Sequence, residues 1–154
     1  MAFFTKSLII QPQIHKDACI AASACSLIDA LGVQPPSQQT LHLLVASGME
    51  NGCNGFASLA TALKSLNLGV SSERFTPTPG ELVAWFQQQA TDHQGFLISH
   101  HVKVSGRTRA HITVVFHDRK GSWFQADPAG CGATNPIHLS QLVTNYAGDV
   151  AIIS

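Results

Sequence analysis

The chain has 154 residues, 45% of them hydrophobic and 12% charged, with nine basic residues balancing nine acidic ones. That length suits one domain burying roughly two-thirds of its unfolded surface, so residues 1–154 read as a single domain, expected to act as a monomer. Sparse, balanced charge excludes a disordered tail or a coiled coil, and without clustered Lys and Arg no nucleic-acid partner is expected.

Residues 1–11 hold one Lys and the short apolar stretch Leu8-Ile9-Ile10. They lack an apolar h-region and a small-residue cleavage site, so no cleaved secretion signal is expected. No run of about 18 apolar residues occurs, which predicts no membrane span. Asp17 stands where an N-cap belongs, opening a helix over 18–31 that is rich in Ala and Leu and closed by Gly32 at C′. Pro35-Pro36-Ser37 marks a turn and a second cap, leading into a short helix through Leu41, Leu44 and Val45. Residues 48–55, with three Gly and two Asn, read as a loop. A third helix follows, with Phe56, Leu59, Ala60, Leu63 and Leu66 on one stripe. Thr78-Pro79-Gly80-Glu81 has the form of a capping box with Pro at the first helical position, opening a helix through Trp85 and Phe86.

The character then changes. Residues 95–104, 111–116 and 122–126 are β-branched and aromatic runs between turn-like residues, and they predict strands. Residues 150–153 add a last one, after a short helix near 139–146. Helices first and an antiparallel sheet second make an α+β arrangement, the N-terminal helical part packing on the C-terminal sheet. Such a layout lets a helix N-terminus face residues carried on the sheet.

Four residues stand out in that frame. Cys19 falls in the first helical turn, about two residues past the expected cap, where unpaired N–H groups and the macrodipole favour a thiolate. Cys25, about two turns on, reads as a buried inert thiol, and Cys53 and Cys131 are weaker candidates. His111 opens an apolar strand and so presents its ring at a cleft. Asp127 lies one hairpin later, before Pro128; it is a natural turn starter, and it is also placed to accept the Nδ1–H of His111 and hold the ring's tautomer. Gln13, six residues before Cys19, would donate its amide to a developing oxyanion, together with the Cys19 backbone N–H. A thiol that attacks a carbonyl needs these roles filled: an imidazole, a group that orients it, and an oxyanion donor.

The four cysteines are too few and too irregular for a disulfide framework, and no pair shows C-x-x-C spacing. Reduced thiols point to the cytoplasm, with secretion into a target cell without a cleaved signal as the alternative. His100, His101 and His117 lack the spacing of a metal site, so neither metal nor cofactor is expected. Trp85, Phe86 and Phe56 read as core. Asn51, Asn54 and Gly55 are candidates for a cleft rim.

The stretch Pro12-Gln13-Ile14-His15-Lys16-Asp17-Ala18-Cys19, the strand opening with His111, and Asp127-Pro128-Ala129-Gly130 together resemble the bacteriocin-processing peptidases. Those are papain-like domains that cut leader peptides after a double glycine and are often fused to an ABC transporter. The resemblance spans almost the whole chain, including the helix from Gly55-Phe56 toward Gly69. It implies a papain-like cysteine peptidase fold and catalytic roles for Cys19, His111, Asp127 and Gln13. It also implies a peptide or protein substrate, and association with a transporter or secretion system. The chain departs from the family at Ala18-Cys19-Ile20, where the family reads Asp-Cys-Gly, and the isoleucine crowds the space beside the nucleophile. Cys19-Ile20-Ala21-Ala22-Ser23-Ala24 is also similar to the avirulence-effector cysteine proteases of plant pathogens, and papain-like glutamine deamidases share the triad. The expected function is therefore hydrolysis of a peptide or protein amide through an acyl-thioester, as in leader-peptide processing. The alternatives are a deamidase or protease effector acting on a host protein, and a non-catalytic peptide-binding module.

Overall fold

A computed structural model of the chain describes residues 2–130 and 133–154; Cys131 lies outside the described residues. Three helices come first: α1 (Cys19–Ala30), α2 (Gln38–Glu50) and α3 (Gly55–Leu66). The end of α1 follows the sequence expectation. Gly32 has φ 87°, its N–H reaches the Asp29 carbonyl, and Val33 N–H reaches that of Ile28, a Schellman closure that favours glycine. The start does not. The N-cap is Ala18 rather than Asp17, and no side chain caps the helix.

Ser37 caps α2 as expected, accepting Thr40 N–H at 3.1 Å. The helix then runs through Gly48 to Glu50, so the expected loop over 48–55 shrinks to its middle residues. Gly48 lies against Ser58 of α3, whose hydroxyl donates to the Val45 carbonyl at 2.6 Å. The glycine therefore serves a close helix–helix approach and not a turn. Asn54 caps α3, accepting Phe56 N–H at 2.8 Å.

The rest is a six-stranded antiparallel sheet in the order β1-β6-β2-β3-β4-β5, formed by β1 (Ser72–Phe75), β2 (Gly95–Val104), β3 (Arg107–His117), β4 (Trp123–Ala126), β5 (Thr134–Ile137) and β6 (Tyr146–Ile153). The chain is thus α+β, as expected. The short outer strands β1 and β5 were not legible in the sequence; as sheet edges they carry polar side chains that blunt further pairing and blur a strand signal. The helix expected over 139–146 is only a 3₁₀ turn, Leu139–Leu142, and Tyr146 already belongs to β6. Thr78–Glu81 forms a turn in which the Glu81 carboxylate accepts Thr78 N–H at 3.0 Å. The helix α4 (Leu82–Gln89) starts only after it, so Pro79 is not its first residue.

His111 does not open its strand either. Ser105 and Gly106, at φ 52° and 76°, make a two-residue hairpin turn that extends the β2–β3 ladder to Val104↔Arg107. His111 therefore sits inside β3, opposite His100.

Alternation along the central strands divides the core. Leu97, Ile112, Val114, Ala151 and Ile153 pack against α1, α2 and α3 on one face. Phe96, Ile98, Val115, Val150 and Ile152 pack against α4 and the 3₁₀ turn on the other. The N-terminal segment straps the helical layer to the sheet: Thr5 N–H bonds the Ala30 carbonyl, Gln11 N–H the Ser26 hydroxyl, and Gln13 N–H the Pro128 carbonyl at 3.0 Å. Among the described residues, no helix is long and apolar enough to cross a membrane.

Candidate active site

Cys19 is the first residue of α1. The turn before it is closed by Ala18 N–H on the His15 carbonyl at 3.1 Å, and Ala18 is fully buried, which anchors the helix start. Neither a capping side chain nor an acidic residue occupies the first turn. The N–H groups there are thus left for another anion, and the helix dipole favours one.

His111 of β3 meets that thiol. Its Nε2 lies 2.7 Å from Asp127 Oδ1, and Cys19 approaches the ring closely enough for a side-chain hydrogen bond. The nitrogen on Asp127 is Nε2, not the Nδ1 expected from sequence, which leaves Nδ1 as the ring atom available to the thiol. Asp127 follows the last residue of β4; its Oδ1 also accepts Ala129 N–H at 2.8 Å, so the turn over Pro128 fixes the carboxylate. Gln13 is tied to the same turn through its backbone. Its Nε2 donates to the His15 carbonyl at 3.0 Å, while its Oε1 is buried without a partner. An amide nitrogen carries two donors, so one remains.

The electrostatics follow from these contacts. Burial disfavours a charged His111, but the hydrogen bonds and negative charge of Asp127 and Cys19 outweigh it and raise the ring to about 9. Burial also works against the Asp127 carboxylate, yet the His111 and Ala129 hydrogen bonds hold it below its ordinary range. His100 sits edge-on to His111, ring centroids 5.4 Å apart. Burial and the positive charge of His111 push it down to about 4, so it packs as a neutral ring.

The remaining histidines and cysteines divide simply. His117 is buried, its Nε2 on the His93 carbonyl at 2.8 Å. Among the described residues no group of three or more His, Cys, Asp or Glu could hold a metal ion. Cys25 is buried and its thiol is pushed up to about 11, while Cys53 is exposed. Phe56 and Phe86 are core, and Trp85 packs half-buried against Phe75, Phe86 and Phe96.

Cys19 and His111 lie in a cleft of about 850 Å³, within the size range of ligand pockets. Its helical wall comes from α1, α2 and the start of α3, including Ile20, Met49, Asn54 and Gly55; Asn51 does not line it. Ile20 lines the cleft, and its Cδ1 packs against Gly55, where any side chain would collide with it. Ser99, Ile112, Asp149 and Arg74 form the sheet wall. None of the polar three was legible in the sequence, because they come together only through strands β1, β2 and β6.

No protein-family model and no curated protein matches the sequence. Solved structures do match, at low identity. The peptidase domain of Streptococcus ComA, a bifunctional ABC transporter of a quorum-sensing pathway, superposes with a TM-score of 0.69 at 17% identity, over 96% of this chain and 98% of that one. A double-glycine-motif protease from an AMS/PCAT transporter, solved in complex with the leader peptide, gives 0.60 at 17% identity over 98% and 93%. A C39-like peptidase from Bacillus anthracis gives 0.54 at 12% identity over 97% and 96%. Over nearly its full length, the chain therefore has the α+β fold of papain-like C39 peptidase domains, the fold expected from its resemblance to the bacteriocin-processing peptidases.

Proposed function

We propose that this chain is a cysteine peptidase that hydrolyses a peptide or protein amide bond through an acyl-thioester on Cys19. The observation that carries the reading is one contiguous arrangement: a thiol at an uncapped helix N-terminus, an imidazole beside it, and a carboxylate 2.7 Å behind the imidazole, all at the edge of an open cleft. With His111 raised to about 9, its ring is a cation at neutral pH, the charge a Cys19 thiolate needs beside it for attack.

The Cys19 thiolate attacks the carbonyl carbon, and the C–O π electrons move onto oxygen. That oxyanion rests against the Cys19 N–H and the free amide hydrogen of Gln13. As the tetrahedral centre collapses, the C–N bond breaks and the His111 Nδ1 proton passes to the departing amine. Neutral His111 then takes a proton from water, whose oxygen displaces the thiolate from the acyl carbon. Asp127 holds the ring throughout and stabilises its charged form.

The substrate we assign is a leader peptide of a precursor handled by a transporter or secretion system, with the action in the cytoplasm. The support is the fold shared with the transporter peptidase domains, one of them solved with its leader peptide. Brief treatment with iodoacetamide at neutral pH, read by peptide mass spectrometry, tests the chemistry. Cys19 should be alkylated well before Cys53, although Cys53 is exposed, and buried Cys25 should stay unmodified. Uniformly slow labelling would favour a binding module. Cys19→Ala and His111→Ala should each lower turnover by at least roughly 10³-fold while leaving the fold intact. Mass analysis of a treated substrate separates cleavage of the chain from loss of ammonia, the mark of a deamidase.

A further inference from the structure

We propose that the far end of the cleft is a carboxylate-binding subsite built on Arg74, so that the substrate carries an acidic residue roughly five positions from the bond that is cut. The inference rests on the peptidase reading above and adds a substrate class to it. Arg74 lies on β1 and lines the cleft. Its Nε donates to Asp149 Oδ2 at 2.8 Å, and the second oxygen of Asp149 accepts the Ser99 hydroxyl. Asp149 is only 8% exposed, so both its oxygens are committed and the guanidinium is locked in one orientation. Arg74 itself is 41% exposed, and the two terminal nitrogens of its fork make no hydrogen bond to the described residues.

A planar fork held from behind, with its outer edge open, matches a carboxylate bidentately; a point charge such as Lys does not. Asp149 acts as the holder and not as a competitor, because it engages the guanidinium through Nε and leaves the outer edge of the fork without a hydrogen bond among the described residues. The charge of the wall agrees. Arg109, next to the His111–His100 rung on the β2–β3 hairpin, adds a second cation to the sheet side, whereas the free acids of the cleft, Asp17 and Glu50, stand on the helical side.

The spacing follows from the sheet. From β3, which carries His111, the order runs through β2 and β6 to β1. Three strand separations of ~4.8 Å, and a register that sets Arg74 level with Val114, three residues along β3 from His111, put Arg74 ~17 Å from His111, about five residues of extended peptide at ~3.3 Å each.

The test uses a proteome-derived peptide library with blocked termini, digested by the whole protein and read by mass spectrometry of the new ends. Asp and Glu should be enriched at one position, roughly three to six residues from the cut, in cleavages absent from Cys19→Ala. Arg74→Lys keeps a charge opposite buried Asp149 and so keeps the fold, but it loses the fork; cleavage should continue with the acidic preference reduced roughly tenfold. Cleavage that depends on Cys19 but shows no acidic preference, or one that Arg74→Lys leaves unchanged, overturns the subsite and spares the peptidase reading. If no Cys19-dependent cleavage occurs, the peptidase reading falls, and the subsite is judged by binding. In Cys19→Ala, the NMR signal of the Arg74 Nε–H should move on titration with the blocked peptide Ala-Ala-Glu-Ala-Ala, and not with its glutamine counterpart. Equal shifts with both peptides, or none, overturn it.

Discussion

His111 is pulled three ways, and the result sets how the site responds to pH. Burial alone would keep the ring neutral; Asp127 and Cys19 reverse that and raise it to about 9. A raised ring is protonated below that value, so the His111–Asp127 ion pair is present at neutral pH and lost as pH rises through about 9. The profile of kcat/KM should therefore show an alkaline limb near 9. Asp127→Asn should retain partial activity, because an amide oxygen still accepts the ring N–H, but its limb should move to lower pH with the carboxylate charge gone. An unmoved limb in that variant would remove Asp127 from the reading. Stability follows the same sign: the contribution of His111 is complete below the ordinary histidine value of 6.5 and disappears as pH climbs through about 9. His100 behaves in the opposite way. It stays neutral in the fold down to about 4 but titrates near 6.5 when unfolded, so the unfolded state binds more protons between those values. The melting temperature should fall as pH drops from 6.5 to 4, and His100→Phe should flatten that slope. The residue types of the site were legible in the sequence; the ring nitrogen facing Asp127 was not, since it depends on where two strands and a helix tip meet.

At the scale of elements, the helix ends separate what local sequence decides from what packing decides. Ser37 and Asn54 cap their helices because a side chain accepting the following N–H groups needs no partner beyond its own turn. Asp17 looks equally suitable, yet α1 begins at Cys19 under a buried alanine, because the strap over residues 2–13 and the buried Ala18 fix the entry of the chain. The same rule explains Gly48. Glycine in a polar stretch reads as a loop signal, but here it is helical and pressed against Ser58. Gly48→Ala raises helix propensity and still should destabilise the protein by about 1–3 kcal/mol, because the added methyl collides with that hydroxyl. Urea denaturation measures the difference; a stabilised variant would show that α2 and α3 can separate at no cost.

Across the whole molecule, the proposed activity depends on two layers holding their distance: α1 carries the thiol and β3 the imidazole. Leu27 of α1 is 1% exposed and packs on the bare Cα of Gly95, at the start of β2. Leu27→Ala should cost about 2–5 kcal/mol and lower kcat/KM as well, although the residue lies outside the cleft. Equilibrium unfolding and steady-state rates on the same preparation test the two effects together. By itself the sequence determined the helices with side-chain caps, the long central strands and the α+β class, and it named Cys19, His111 and Asp127 as candidates, because these follow from local hydrogen bonds, alternation and residue chemistry. The edge strands, the uncapped start of α1, the continuation of β3 past His111 and the Arg74–Asp149–Ser99 wall were decided only by tertiary structure. Each depends on partners far along the chain, brought together by burial of a shared core, and no short window of residues contains that information.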